Sequence, residues 1–114
     1  MSLKIAIPLA DGQLCMHFGH CAQFAILEAD PDTKSILSRV DKTPPPHEPG
    51  VLPAWLSKEG VKLVIAGGMG QRAQQLFQQQ GVEVLVGAAA QSPESLVQAY
   101  LDGSLKGGEN VCDH

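Results

Sequence analysis

Short apolar runs bounded by turn-forming residues recur along the first 42 residues and predict three strands. The run Leu3–Leu9 is short and rich in isoleucine, as expected of a buried strand. A second run, Ala22–Ala29, ends at Asp30–Asp32, where Asp and Pro favour a turn. Ser35–Val40 resumes with alternating apolar and polar residues. We therefore predict that residues 22–42 form a β-hairpin.

After residue 50, three helical patterns alternate with two strand patterns. Apolar residues recur three or four positions apart in each helical pattern, and a glycine ends it: Gly60, Gly81 or Gly103. The strand patterns between the helices are Val61–Ala66 and Val82–Val86. The predicted helix faces are Leu52, Trp55, Leu56 and Glu59, then Ala73, Leu76, Phe77 and Gln80, then Leu96, Val97, Tyr100 and Leu101.

This order of elements predicts the fold class. Strands that alternate with helices form right-handed parallel crossovers, with helices on both faces of the sheet. The hairpin adds an antiparallel edge to that sheet. We therefore predict the α/β class and a three-layer α/β/α domain with a five-stranded mixed sheet, in which one hairpin strand is antiparallel. Residues 11–20 are expected to be irregular, and residues 104–114 to form a mobile tail.

The composition narrows the class of protein. A chain of 114 residues suits a single domain over 1–114, and 44% hydrophobic with 18% charged residues indicates a globular chain. Aromatic residues make up only 4% and the net charge is -4, so nucleic acid is not an expected partner. Neither a signal peptide nor a membrane-spanning stretch is apparent, so we expect a cytoplasmic protein that does not bind membranes.

Four potential metal ligands fall within seven residues after the first predicted strand: Cys15, His17, His20 and Cys21. Thiolates suit zinc, copper(I) and iron–sulfur species, and imidazole suits several of the same metals. In open α/β sheets, ligands bind at the carboxyl ends of the strands. Three other interpretations stay open: buried cysteines beside ordinary loop histidines, a structural zinc site despite the unusual spacing, and thiol–disulfide exchange despite the absence of C-x-x-C.

Three further segments are candidates for the same site. Cys112 and His114 lie in the glycine-containing tail, which is either a disordered end or a flap that orders on binding. His47 lies in a stiff proline-rich loop and is either solvent-exposed or a ligand. A strand-to-helix loop offers backbone amides to an anion, and it consists of Gly67, Gly68, Met69 and Gly70. That loop is neither G-x-G-x-x-G nor a P-loop, which disfavours a nucleotide.

Five segments carry a resemblance to a known family: KIAIPLADG, CMHFGHCAQFAI, HEPGVLPAWL, VIAGGMGQRAQQLF and ENVCDH. Together they resemble the dinitrogenase iron–molybdenum cofactor biosynthesis family, which includes small stand-alone proteins similar to nitrogenase accessory factors. The resemblance implies a ribonuclease-H-like α/β/α fold with a five-stranded mixed sheet. It also implies non-covalent binding, carrying or delivery of iron–molybdenum cofactor or of its iron–sulfur precursor.

The leading functional hypothesis is a binding module rather than an enzyme. The module would hold an anionic metal–sulfur cluster of the Fe-Mo-S or Fe-S type for cofactor assembly or delivery, with the loop amides facing its negative charge. His47, Cys112 and His114 would close the site. A cluster donor, a cluster acceptor or an associated ATPase would be the protein partner.

Two alternatives belong to other functional classes. The first is a metal- or redox-sensing regulatory or scaffold protein with a simple zinc or iron site. The second is a ribonuclease-H-like metal-dependent hydrolase. Such a hydrolase needs several clustered carboxylates, and Asp11 alone near the first strand does not supply them.

Overall fold

Six strands and three helices make up the described part of the chain. The structure, a computed structural model, describes residues 3–10, 13–14, 23–43, 51–67, 69, 71–86 and 92–103. The strands are β1 (Leu3–Ala10), β2 (Gln13–Leu14), β3 (Gln23–Asp30), β4 (Ser35–Lys42), β5 (Val61–Ile65) and β6 (Glu83–Leu85). The helices are α1 (Val51–Lys58), α2 (Gln71–Gln79) and α3 (Pro93–Asp102).

The strands form one mixed sheet in the order β4-β3-β1-β5-β6. β3 is antiparallel to both of its neighbours, whereas β5 is parallel to β1 and β6 is parallel to β5. On this path, β3 is therefore the one strand that runs against the other four. The predicted α/β class, the hairpin and the five-stranded mixed sheet with one antiparallel strand are confirmed.

β2 is a sixth, two-residue strand that the sequence did not predict. It pairs antiparallel with the end of β1, with Leu9 opposite Leu14 and Ala10 opposite Gln13. The expectation that residues 11–20 are irregular is therefore wrong at Gln13–Leu14. The predicted tail, 104–114, lies outside the described residues.

Hydrophobic side chains cover both faces of the sheet. One buried cluster joins Ile5, Ile7 and Leu9 of β1 to Leu96 and Val97 of α3. These β1 residues alternate along the strand, so they share one face of the sheet. The other cluster contains the intervening Ala6 together with residues of α1 and α2. The helices thus pack on opposite faces, α3 on one and α1 with α2 on the other.

The helix ends follow the sequence pattern with one exception. The three predicted stops, Gly60, Gly81 and Gly103, all have positive φ, which glycine adopts without strain. Ser92 caps α3, and its side chain accepts from the Ser95 backbone N–H. The assignment of Gln80 to the apolar face of α2 is wrong. Gln80 is exposed, because the helix ends at Gln79 and the next residue begins the turn.

None of the described helices is long and apolar enough to cross a membrane, and α3, with ten residues, is the longest of them.

An ion-pair network joins β4 to α3. Arg39 Nη1 lies 2.8 Å from Glu94 Oε1, and Arg39 Nε lies 2.8 Å from Asp41 Oδ1. The hydrogen bond from Arg39 holds the pKa of Glu94 below its ordinary value of 4.5. The same partners raise the pKa of Arg39. The network therefore stabilises the packing of the edge strand on α3 as long as Glu94 is ionised.

We expect Glu94→Gln to lower the free energy of unfolding at neutral pH by at most about 1 kcal/mol, because Glu94 is half-exposed. A carboxyl whose pKa is lowered by folding stabilises the protein above its unfolded pKa, and this contribution is lost as the pH falls through the folded value. The difference between wild type and variant should therefore shrink below pH 4.5. Urea unfolding across pH measures it, with exposed Glu83→Gln as the control. A difference in the free energy of unfolding that is constant with pH would contradict a stabilising role of ionised Glu94.

Candidate functional site

The carboxyl ends of β1 and β5 lie at one edge of the sheet, because the two strands are parallel. We call this the site edge; there β1 ends at Ala10 and β5 ends at Ile65. Ligands of open α/β sheets bind at this kind of edge. The predicted Cys/His segment follows β1, and the predicted glycine-rich loop follows β5. The topology therefore brings the strand ends that precede these two parts of the sequence to the same edge.

Both flanks of the Cys/His segment are fixed to a single strand position. Leu14, just before the segment, pairs with Leu9 through β2, and Gln23, just after it, pairs with Leu9 through β3. A strand has two edges, so Leu14 and Gln23 lie on opposite sides of Leu9. Neighbouring strands are 4.7–4.9 Å apart, which puts the two flanks about 10 Å from each other. The chain thus leaves the sheet at Leu14 and rejoins it at Gln23, both beside the end of β1.

The described residues of the glycine-rich loop are held against the core. The Ala66 backbone N–H donates to the Leu85 carbonyl at 2.8 Å, which ties the end of β5 to β6. Gly67 is buried. Met69 is fully buried in the cluster that contains α1 and α2 residues, so its thioether fills core space. Any contact of Met69 with a ligand at the site edge would involve its backbone.

Gln74 is a residue of the site that the sequence did not single out. Its side-chain Nε2 donates to the Met69 carbonyl at 2.8 Å, and the residue is half-buried. The sequence pattern left Gln74 outside the predicted face of Ala73, Leu76, Phe77 and Gln80. Its position four residues into α2 is the available signal, since a long side chain there reaches the preceding loop.

We expect Gln74→Ala to lower the free energy of unfolding by about 1 kcal/mol, because the Met69 carbonyl loses a donor in a half-buried place. Gln75→Ala is the matched control, since Gln75 is exposed on the same helix. Urea unfolding followed by circular dichroism measures both. Equal effects of the two substitutions would mean that the Gln74 bond does not hold the loop.

Two helices begin at the site edge. α1 reaches the amino end of β5 through the turn at 59–60, so its first turn lies at the opposite, site edge. α2 starts at Gln71, shortly after the carboxyl end of β5. Neither helix has an acidic residue in its first turn. Because helix N-termini carry partial positive charge, both favour an anion at this edge.

The single tryptophan lies near the same edge. Phe24 pairs with Pro8 close to the end of β1. The rings of Phe24 and Trp55 pack edge to face, with centroids 5.9 Å apart. Trp55 is half-buried, so its fluorescence reports on this end of the sheet.

Most of the predicted ligands lie outside the described residues. These are Cys15, His17, His20, Cys21, His47, Gly68, Gly70, Cys112 and His114. Every cysteine and histidine of the chain is among them. The described part contains no group of three His, Cys, Asp or Glu side chains placed to hold a metal ion. Gly67 and Met69 are the predicted cofactor-binding residues that the structure describes.

Relatives share both the sequence and the fold. The uncharacterized protein MJ0580 of Methanocaldococcus jannaschii is 30% identical over 108 residues, which cover 91% of this chain and 90% of the relative. The crystal structure of PH0822 has a TM-score of 0.82 at 25% identity and covers 93% of this chain and 96% of its own. The apo form of the orange protein from Desulfovibrio gigas shares the fold, with a TM-score of 0.70 at 24% identity over 94% of this chain and 93% of its own.

The family match covers most of the chain. A family model described as dinitrogenase iron-molybdenum cofactor matches residues 1–103. This range includes the Cys/His segment after β1 and the glycine-rich loop after β5, which are two of the segments that carried the resemblance. The predicted family is confirmed, and the chain belongs to the dinitrogenase iron–molybdenum cofactor family.

Proposed function

We propose that this protein is a binding module that holds or carries an anionic metal–sulfur cluster at the site edge. The cluster is of the Fe-Mo-S or Fe-S type, and it is cargo for cofactor assembly or delivery rather than a catalytic group. Its ligands or hydrogen-bond donors come from Cys15, His17, His20 and Cys21. His47, Cys112 and His114 complete the site.

The pairing of Leu14 and Gln23 with the same residue, Leu9, is the observation that carries this proposal. It places the two ends of a segment that contains two cysteines and two histidines beside the end of β1. Soft thiolate and imidazole donors concentrated in so short a span suit a metal–sulfur species.

The electrostatics of the site edge support an anionic ligand. The first turns of α1 and α2 lie there without an acidic residue of their own. In this proposal the loop of Gly67, Gly68, Met69 and Gly70, which directly precedes α2 in the sequence, supplies further backbone donors. A negatively charged cluster gains from these partial charges, whereas a bare zinc or iron cation would be repelled by them.

The comparisons support the same class of ligand. The family to which the chain belongs is described by the iron–molybdenum cofactor. We further propose that the sheet with helices on both faces is the three-layer ribonuclease-H-like motif, used here for binding and not for hydrolysis. A cytoplasmic location fits, because cysteines stay reduced there and available to a metal. The partner is a cluster donor or acceptor, or an associated ATPase.

Anaerobic reconstitution of the full chain with iron, sulfide and molybdate tests the proposal. Native mass spectrometry should find a mass increment of a metal sulfide, and Trp55 fluorescence should fall in step with it because a coloured cluster near the tryptophan quenches it. Zinc or ferrous iron without sulfide serves as the comparison. Binding of one bare metal ion in place of the sulfide would favour the sensor or scaffold alternative, and no increment with any addition would refute metal binding at this edge.

A further inference from the structure

The outer edge of β4 is a candidate interaction surface. β4 is the end strand of the sheet, and among the described residues it pairs only with β3. Two large apolar side chains of this strand are exposed, Leu37 by 56% and Val40 by 51%. The backbone groups along such an edge can pair with another strand. We propose that two copies of the protein pair antiparallel through β4, about a two-fold axis at Val40.

The charges beside Val40 suit this axis. In an antiparallel pair centred on Val40, the two valines face each other on one face of the sheet. Arg39 then lies opposite Asp41 of the second copy, and Asp41 lies opposite Arg39 of that copy, on the other face. Opposite charges directly across two strands stabilise the pair, and the symmetry provides this contact twice.

Neighbouring registers lack this complementarity. Centring the axis on Arg39 places two guanidinium groups opposite each other, and centring it on Asp41 places two carboxylates opposite each other. Like charges in directly opposed positions destabilise a strand pair. The register shift against Glu28/Ala29 makes β4 irregular at Leu37, which leaves the part after Leu37 as the regular edge. The charge pattern of that part selects the axis at Val40.

The ion-pair network within each copy restricts the Arg39 side chain before the two copies pair. Its guanidinium is already held by Asp41 and by Glu94 of α3, so pairing immobilises little additional side-chain freedom. The two copies run antiparallel, so their site edges point in opposite directions. The proposed contact involves no residue of the site edge and no metal. The result of its test is therefore independent of the proposed function.

Sedimentation velocity of the full chain over a concentration series tests the proposal, with reductant and chelator present to prevent disulfide and metal bridging. Wild type should shift from monomer to dimer as its concentration rises. Arg39→Asp should weaken dimerisation roughly tenfold or more, because two carboxylates then oppose each other twice. The double variant Arg39→Asp/Asp41→Arg should restore it. Both variants lose the contact between Arg39 and Glu94, so this loss does not distinguish them.

Val40→Lys provides a second test that leaves this network intact, and Glu83→Lys on the opposite edge of the sheet is its control. Only Val40→Lys should keep the protein monomeric, since it places two lysines at the axis. A wild type that stays monomeric at every concentration would overturn the proposal. So would a charge-swapped double variant that dimerises no better than Arg39→Asp, or equal effects of Val40→Lys and Glu83→Lys.

Discussion

Cys15→Ser/Cys21→Ser is expected to abolish reconstitution of the metal–sulfur cluster while the fold stays intact. The two thiolates are the softest donors of the segment that Leu14 and Gln23 fix to the end of β1. Serine keeps the size of the side chain but is a poor ligand for soft metals. The loss should exceed the 10–100-fold typical of removing an outer-shell partner of a metal ligand. Absorbance of the sulfide-to-metal charge-transfer band after anaerobic reconstitution measures it.

Cys112→Ser is the matched control for this experiment, because it removes the one remaining cysteine of the chain. It should weaken binding less than the double substitution if the segment after β1 supplies the ligands and the tail only completes the site. Circular dichroism and urea unfolding should give wild-type values for both variants. Equal loss in Cys112→Ser and the double variant would mean that the tail supplies ligands as directly as the segment does. Full absorbance in the double variant would refute the proposed ligands.

The pH dependence offers a further check on the thiolates. Cysteine binds a metal only when its thiol has lost the proton, so metal binding competes with protonation. Cluster affinity should therefore fall as the pH is lowered. Cys112→Ser should keep this wild-type pH dependence, whereas a ligand role for Cys112 would make the fall shallower in the variant.

The sequence was sufficient for the main elements because burial dictates their periodicity. Ile5, Ile7 and Leu9 alternate as one face of a strand, and Leu96 and Val97 mark the buried side of α3. The positive φ of Gly103 is likewise a local feature, because a glycine directly after a helical pattern indicates it. Features of this kind depend on a few neighbouring residues, and they were predicted correctly.

β2 depended on tertiary structure and was missed. β5 pairs with β1 only from Lys4 to Ala6, which leaves the same edge of β1 available near Leu9 and Ala10. Leu14 pairs with this part of β1 because β5 does not extend to it. The dipeptide Gln13–Leu14 itself contains no pattern that predicts a strand. The irregularity of β4 is similar, since a register shift against β3 exposes Leu37 in an otherwise alternating strand.

The candidate site was predictable in part for the same reason. The residue types and their place after β1 could be read from the sequence, and parallel pairing of β1 with β5 then puts the glycine-rich loop at the same edge. The pairing of Gln23 with Leu9 could not be predicted, because it depends on the register of β3 against β1. The bond from Gln74 to the Met69 carbonyl required the orientation of a loop carbonyl, which a polar helix pattern does not encode.

Phe77→Ala is expected to lower the free energy of unfolding by about 3–5 kcal/mol, more than Glu94→Gln or Gln74→Ala. Phe77 is fully buried, and it is the only buried side chain among the nine residues of α2. Domains of this kind are stable by only about 5–15 kcal/mol. A single substitution would thus remove a large share of the total.

The position of Phe77 also connects this loss to the candidate site. The side chain lies in the cluster that contains Met69, and Gln74 of the same helix holds the Met69 carbonyl. A helix that no longer docks through Phe77 would release both contacts of the loop after β5. Phe77→Leu, which keeps much of the apolar volume, should recover most of the stability and most of the cluster binding.

Gln78→Ala, an exposed change one residue along, should alter the free energy of unfolding by less than about 0.5 kcal/mol. Urea unfolding measures all three variants, and a loss below about 1 kcal/mol in Phe77→Ala would contradict the docking of α2 through this side chain.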